Sequence, residues 1–307
     1  MPADRPPRTL AEVLAGAATA GPPGDAGLVA ALRDRLDAAA RTATAVGGWT
    51  PAEPLRLTKT SVTWLLRCPR RAVAAPGEPG ADGDDDRLVG LVVDAAAKVA
   101  TLVPQRPATV DAALAYLVAT GEAAVADRLA AADPRSRRAL EAECTARVAA
   151  LAAAWPPIEP GWWPRVEDPV RTRLAGGAVT VGGRLDLVLG GPPTGRPAVV
   201  VEVKAGRWYD GMRADGHLYA LLLALRDGVL PVAAVTVVAD GTTQVEPVRP
   251  AVVDHAADRL AEAMSVAARL AAGEPPATHP GLHCPHCPAR SACPPGLAWR
   301  PDQAVPA

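Results

Sequence analysis

The feature that most constrains the fold of this chain is a change in hydrophobic pattern near residue 165. From Leu88 to about Ala154, apolar residues recur every three or four positions, which predicts helices with a break at Asp133-Pro134. The next segments, VRTRL, AVTVGGRLDLVLG and RPAVVVEVKAG, alternate or run apolar between Gly and Pro, which predicts strands. A helix over about 211–226, the strands PVAAVTVVA and TQVEPV, and a helix over about 251–272 follow. This order predicts an α/β fold.

A carboxylate and a lysine share one face of the third predicted strand. Residues two apart in a strand project to the same side, so Glu202 and Lys204 project together. Glu202 follows the apolar run Ala198 to Val201, which indicates a central strand where an unpaired charge is costly. Asp186 lies on the preceding strand and can lie beside Glu202. Lys204 is one of only three lysines among 32 basic residues, which indicates that a point-charge amine is needed there.

Such a set suits phosphodiester hydrolysis. Carboxylate oxygens hold Mg²⁺ or Mn²⁺, and the cation polarises a phosphate and acidifies a bound water. A lysine can orient that water or help to deprotonate it. The alternative is a surface ion pair between Glu202 and Lys204, with Asp186 an unrelated charge near a turn.

The spacing of Asp186, fifteen residues, then Glu202-Val203-Lys204 resembles the PD-(D/E)XK nuclease superfamily. Its RecB-like branch has a strand with G-x-x-D, a strand ending in E-x-K and a helix with Q-x-x-x-Y, and this chain resembles it at Gly183 to Asp186, at Glu202 to Lys204 and at Tyr219. The resemblance implies a restriction-endonuclease-like mixed sheet flanked by helices, with a helical insertion. It also implies that Asp186, Glu202, Lys204 and Tyr219 are catalytic, and that Asp94, Asp186 and Glu202 bind Mg²⁺ or Mn²⁺.

The chain departs from this pattern at two positions. Asp215 stands where the branch usually has glutamine, and Asp94 stands where it has a histidine metal ligand. Asp can itself bind Mg²⁺ or Mn²⁺. Glu167 occupies a place where relatives often carry an acidic residue before the first core strand.

The cysteines form a second constellation. Cys284, Cys287 and Cys293 follow a C-x2-C-x5-C pattern, which in a reducing compartment is typical of metal ligands. With Cys68 in SVTWLLRCPRRAV, they resemble the iron-sulfur nucleases of the AddB type and the CRISPR-associated RecB-like exonucleases. The resemblance implies that these four residues hold a 4Fe-4S cluster. Zinc, bound by the three C-terminal cysteines and one nearby histidine, is the alternative. Cys144, in an Ala-rich helix, is predicted to be a core residue.

The histidines near these cysteines, one of which the zinc alternative requires, are His279, His283 and His286.

We predict an N-terminal helical extension over residues 1–56, a nuclease domain over 57–295 and an unstructured tail over 296–307. Within the nuclease domain, the helical insertion covers about 88–155, the catalytic sheet about 165–250 and the Cys-rich segment 279–295. The acidic stretch from Ala75 to Arg87 is predicted to be a loop.

The charge and hydropathy of the chain restrict the kinds of binding partner that we expect. A formal net charge of −1 argues against a broad electrostatic surface for duplex DNA, although arginines gather near the motifs. The resemblance implies a metal-dependent DNA nuclease, an exonuclease that acts on DNA that is single-stranded or has free ends, with a helicase or a repair or defence protein as a partner. We expect no membrane span and no signal peptide, and therefore a cytoplasmic protein. Two other functions stay open: a catalytically inactive DNA-binding or scaffolding subunit, and a zinc-stabilised interaction module.

Overall fold

The computed structural model of the protein describes residues 8–19, 25–74, 84–105, 107–209 and 211–300. Its strands, in chain order, are β1 (Leu55–Leu57), β2 (Arg165–Leu174), β3 (Val179–Gly191), β4 (Arg196–Lys204), β5 (Ala233–Val238) and β6 (Thr243–Pro247). They pair in the order β1-β3-β4-β5-β6, and β2 pairs with β3 off this path. The pairs β1–β3 and β4–β5 are parallel, while β3–β4 and β5–β6 are antiparallel. The sheet is therefore mixed.

Helices precede, interrupt and close this sheet. They are α1 (Leu10–Thr19), α2 (Ala26–Gly47), α3 (Lys59–Arg67), α4 (Pro69–Ala74), α5 (Asp84–Leu102), α6 (Val110–Ala119), α7 (Ala123–Ala131), α8 (Pro134–Ala154), α9 (Gly211–Asp227), α10 (Pro250–Ala271) and α11 (Pro294–Ala298). The predicted α/β class is confirmed. The predicted break within the long helical stretch is the start of α8, where the Asp133 side chain accepts hydrogen bonds from backbone N–H groups and Pro134 opens the helix.

Contacts between residues divide the chain into two compact units. Unit 1 takes its described residues from the stretches 1–25, 83–169 and 184–249. Unit 2 takes its described residues from 26–82, 170–183 and 250–307. The predicted division into extension, nuclease domain and tail stays a prediction.

The centre of unit 1 is the parallel pair β4–β5. Val199, Val200 and Val201 are fully buried, and every residue of β5 is buried. Such continuous apolar runs are typical of strands covered on both faces. Val199, Val201 and Val203 belong to a core cluster with residues of α1 and α5, so strand alternation directs Glu202 to the opposite face.

Two sequence-based expectations need correction. The acidic stretch is predicted to be a loop as far as Arg87, but α5 begins at Asp84, because carboxylates in the first turn of a helix interact favourably with its N-terminal dipole. Residues 75–83 of that stretch lie outside the described residues. The predicted unstructured tail is helical over Gly296–Ala298, because Pro294 and Pro295 open a short helix and Pro295 O accepts the Trp299 N–H. Residues 301–307 lie outside the described part.

Unit 2 contains α10, which packs against α2 and α3. The sequence did not predict β1 or α3. Thr58 and Ser61 form a capping box at the start of α3, and Cys68 caps its end. Among the described residues, no helix is both long and apolar enough to cross a membrane.

Candidate active site and cysteine-lined cavity

Asp186 lies on β3, next to the stretch in which β3 pairs with β4 through Leu187 and Val201. Its Oδ2 accepts a hydrogen bond from the backbone N–H of Val203, with 2.8 Å between the two heavy atoms. Burial raises the pKa of Asp186 to about 7, and the negative charge of Glu202 adds to this effect. The carboxyl group therefore keeps its proton to near-neutral pH unless a further positive charge stabilises the ionised form.

Glu202 and Lys204 lie on one face of β4, as their spacing predicts. Glu202 is 2% exposed, and Lys204 Nζ donates a hydrogen bond to Glu202 Oε2 at 2.7 Å. β4 has paired neighbours on both sides, so Glu202 lies in the interior of the sheet. This burial is incompatible with the alternative of a solvent-exposed surface pair.

Tyr219 lies on α9, which packs on β4 and β5. The side chain is buried, and burial raises the pKa of its hydroxyl, with further increases from the charges of Glu202 and Asp186. Asp215, one helical turn earlier, acts in the same direction. The Tyr219 hydroxyl therefore keeps its proton and can act as a hydrogen-bond donor.

Asp94 lies on α5 and forms an ion pair with Lys98, four residues later on the same helix. The ammonium group of Lys98 also donates a hydrogen bond to Glu167 Oε1 on β2. Glu167 Oε2 lies 3.0 Å from Nε of Arg184. Burial raises the pKa of Asp94, although its hydrogen bond with Lys98 and the charge of Lys98 act to lower it. Burial would lower the pKa of Lys98, but Asp94 and Glu167 outweigh it and raise that pKa.

Lys98 is a site residue that the sequence analysis missed. Two signals were present: the scarcity of lysine in the chain and the position of Lys98 one helical turn after Asp94. Its second partner, Glu167, lies 69 residues away, so only the folded structure reveals the complete arrangement.

The donor set suits a hard divalent cation. Asp94, Asp186 and Glu202 supply carboxylate oxygens, which Mg²⁺ and Mn²⁺ prefer. The charge of Asp94 also contributes to the raised pKa of Asp186, which indicates that the groups share one electrostatic environment. Within the described residues, however, no group of three or more His, Cys, Asp or Glu side chains is already arranged to hold a metal ion. Lysine ammonium groups pair instead with Asp94 and Glu202.

The four predicted cluster cysteines line one small cavity in unit 2. They are Cys68, Cys284, Cys287 and Cys293, and the cavity measures ≈ 10 Å³. Gly296 leaves space beside two of the thiols, because a Cβ there would lie 3.2 Å from the sulfur of Cys293 and 3.8 Å from that of Cys284. A volume of this size holds about one water molecule.

Arginine side chains surround the same cavity. Arg70, Arg71 and Arg290 line it, and the Nε atom of each is buried without an acceptor in the described part of the chain. Arg71 is 3% exposed, and its guanidinium lies 3.9 Å from the centre of the Trp64 ring. Buried donors without acceptors are costly, so this environment favours an anionic group such as a set of thiolates.

The histidines differ in their access to the cavity. His279 and His283 line it, whereas His286 does not. Burial lowers the pKa of His283 to about 4, with additional effects from Arg67 and Arg71. His283 is therefore neutral at pH 7, which is the form that a zinc ligand requires.

The fifth cysteine lies apart from this cavity. Cys144 is fully buried on α8, and burial raises the pKa of its thiol to about 11. The prediction that Cys144 is a core residue is confirmed.

Residues 56–294 match the family described as the PD-(D/E)XK nuclease superfamily. The match covers most of the chain, and the protein belongs to this superfamily. The six-stranded mixed sheet flanked by helices is consistent with the predicted restriction-endonuclease-like fold. Membership implies a nuclease that hydrolyses phosphodiester bonds, and nucleases of this superfamily generally use Mg²⁺ or Mn²⁺.

A solved structure described as "Crystal structure of SSO0001" resembles this protein with a TM-score of 0.34 and 13% sequence identity, covering 79% of this chain and 87% of the other. No curated protein matches the sequence significantly.

Proposed function

We propose that this protein is a Mg²⁺- or Mn²⁺-dependent deoxyribonuclease of the RecB-like branch that acts on single-stranded DNA or free DNA ends. The observation that carries the proposal is the buried Glu202 together with the half-buried Asp186 and Lys204, on two paired strands of the sheet. Burying ionisable groups in the interior of a sheet destabilises the folded protein, and a catalytic role would account for their presence here.

The proposed roles follow from the chemistry of each side chain. Asp186 and Glu202 would hold the divalent cation, and Asp94 would be a third ligand. The cation would supply Lewis-acid polarisation of the scissile phosphate and a lower pKa for the attacking water. Lys204, which lies beside Glu202, would orient that water, and in its neutral amine form, after its own proton has passed to solvent, it would accept a proton from the water. The protonated Tyr219 hydroxyl would donate a hydrogen bond to a phosphate oxygen.

Aromatic residues directly after β4 support a single-stranded substrate. Tyr209 is 54% exposed, and Trp208 lines a small pocket together with Arg213. Aromatic rings stack on unpaired bases without regard to sequence, and an arginine adds attraction for phosphate. A helicase or another repair or defence protein would supply such strands in the cytoplasm.

The deciding experiment is degradation of end-labelled single-stranded and double-stranded DNA by anaerobically purified protein with Mn²⁺ or Mg²⁺. We expect metal-dependent cleavage that is lost in Lys204→Ala and retained in Lys59→Ala, the matched control. Lys59 lies on α3 and belongs to unit 2, whereas the candidate catalytic residues belong to unit 1. Cleavage of equal rate in all three proteins, or in none, would reject the catalytic assignment.

The cysteine-lined cavity supports a structural metal centre, and a 4Fe-4S cluster held by Cys68, Cys284, Cys287 and Cys293 is the proposed occupant. Four thiols on one cavity and buried arginine donors without acceptors favour an anionic four-thiolate group. Zinc held by three cysteines and a histidine is the alternative, and His279 and His283 both reach the cavity. Under that alternative the cavity would stabilise an interaction module.

One observation favours a second candidate function. Asp94 is paired with Lys98, and a carboxylate committed to an ammonium group is less available to a metal ion. A protein that could not overcome this pairing would bind DNA without cleaving it, as a scaffolding subunit of a repair or defence complex. The cleavage assay, combined with a DNA-binding measurement on the same samples, distinguishes the two functions.

A further inference from the structure

We propose that Lys98 is an internal cation that competes with the divalent metal ion for Asp94 and thereby lowers the metal affinity of the site. This inference rests on the proposed function, because it takes Asp94 to be a metal ligand. It adds a residue and a control of metal loading to that function.

The first support is the set of contacts that Lys98 makes. Its ammonium group contacts Asp94 Oδ2 and Glu167 Oε1, and the side chain is only 12% exposed. An ammonium group has three donors and no acceptor, so it can hold two carboxylates at once. A cation with so little contact with water needs such partners, because an unpaired buried charge is very costly.

The second support is the way Glu167 is held. Its backbone has φ = +50° within β2, a left-handed conformation that non-glycine residues rarely adopt. One carboxylate oxygen contacts Lys98, and the other lies 3.0 Å from Arg184 Nε. Glu167 is thus fixed by cations on both oxygens, and strained backbone of this kind often marks a functional position.

The third support is the charge environment of Asp94. Lys98 acts on Asp94 directly, and Lys204 also lowers its pKa, while Asp94 in turn raises the pKa of Asp186. Asp94 therefore lies within the field of the groups that would hold the metal ion. A metal ion bound by Asp94 must displace Lys98 from the Asp94 carboxylate or share the carboxylate oxygens with Lys98.

Glu167 gives Lys98 a second place to bind. When Asp94 turns to the metal ion, Lys98 keeps its hydrogen bond to Glu167 and remains neutralised. When no metal ion is bound, Lys98 neutralises Asp94 and reduces the repulsion among the carboxylates. The arrangement stabilises the metal-free site and weakens metal binding by the same interaction.

The test is a titration of metal-free protein with Mn²⁺, in which free Mn²⁺ is measured by electron paramagnetic resonance at fixed pH. Four proteins form a cycle: wild type, Lys98→Met, Asp94→Asn and the double variant. We expect Lys98→Met to bind Mn²⁺ roughly tenfold more tightly, since a competing unit charge is removed from the neighbourhood of a dication. In the Asp94→Asn background the same change should give no gain, because the contested ligand is gone.

Two controls accompany the cycle. Lys59→Met removes a lysine in unit 2 and should leave the Mn²⁺ affinity unchanged. If circular dichroism shows that Lys98→Met is unfolded, Lys98→Gln replaces it, because glutamine keeps a hydrogen bond to a carboxylate without the charge. None of these measurements depends on nuclease activity.

Each outcome decides the inference. A gain in Lys98→Met that vanishes without Asp94 supports competition. A gain that persists in the Asp94→Asn background shows a long-range charge effect and overturns it, as does an unchanged or weaker affinity in Lys98→Met. If neither wild type nor Lys98→Met binds Mn²⁺, the proposed metal site fails as well, whereas Mn²⁺ binding without the expected gain rejects only this inference.

Discussion

The carboxylate of Asp186 accepts a hydrogen bond from the backbone N–H of Val203, the residue between Glu202 and Lys204. This contact adds to the pairing of β3 with β4 and sets Asp186 beside the buried Glu202. Two acidic side chains are thereby held together in an interior where both ionised forms are poorly solvated. A bound cation would relieve this repulsion, and in its absence a proton does so.

The metal-free protein should lose stability as pH rises. Asp186 has a pKa of about 7 in the folded protein and 3.8 as the model value, because burial and then Glu202 disfavour its charge. Between these values the folded state holds a proton that the unfolded state has released, so the free energy of unfolding decreases as pH rises from about 4 to about 7. The measurement is urea unfolding in EDTA at pH 5 and pH 8.

Asp186→Asn is the matched variant for that measurement, since asparagine resembles the protonated carboxyl. We expect a smaller difference in unfolding free energy between the two pH values than in wild type. An equal difference in both proteins would show that the Asp186 pKa does not account for the pH dependence. Mn²⁺ should reduce the difference in wild type only, because metal binding requires the ionised carboxylate.

Lys204→Arg separates proton transfer from simple charge. Arginine keeps the positive charge but does not give up a proton at accessible pH. If Lys204 accepts a proton from the attacking water, Lys204→Arg should lose about 100-fold or more in single-turnover cleavage rate, as Lys204→Ala should. Retention of most activity in Lys204→Arg would restrict Lys204 to an electrostatic role.

Tyr219→Phe tests the hydrogen bond to phosphate. The raised pKa keeps the hydroxyl protonated, so the group can donate a hydrogen bond to a phosphate oxygen. Its loss should reduce cleavage by roughly tenfold, the usual effect of one hydrogen bond to a charged group. Circular dichroism and thermal unfolding should show an intact fold. A rate equal to wild type would leave Tyr219 as a packing residue of α9.

The sequence allowed the centre of the sheet to be predicted, because local pattern determines it. Glu202 and Lys204 are two residues apart after an apolar run, and period-two alternation suffices to place them on one face. Lys98 escaped prediction because its arrangement depends on Glu167, on a distant strand with unusual backbone geometry. β1 was missed because only three residues form it, and these are extended through pairing with Val179–Val181.

For the cysteine-lined cavity too, the sequence predicted one part, and the other part depends on tertiary packing. The spacing of the cysteines predicted a shared site, and the structure brings all four to one cavity. The buried donors of Arg70 and Arg290 were not predictable, since burial of an Nε atom depends on how α4 and the C-terminal turns pack. These arginines give a physical reason to expect an anionic group among the cysteines, because they place positive charge around the cavity.

Cys68 distinguishes the two metal hypotheses. A 4Fe-4S cluster needs all four cysteines, whereas zinc held by three cysteines and a histidine leaves Cys68 as a buried thiol. In anaerobically purified protein we expect Cys68→Ser to lose iron and sulfide together, with loss of the visible absorption of the cluster. Cys284→Ser should lose the metal under either hypothesis.

Cys144→Ser is the matched control, because Cys144 is a fully buried thiol on α8 and lies outside the cavity. Its metal content should equal that of wild type. Zinc at one equivalent in wild type, retained in Cys68→Ser and lost in Cys284→Ser, would reject the cluster and identify a histidine as the fourth ligand. His279→Ala and His283→Ala would then show which of the two cavity-lining rings binds the zinc ion.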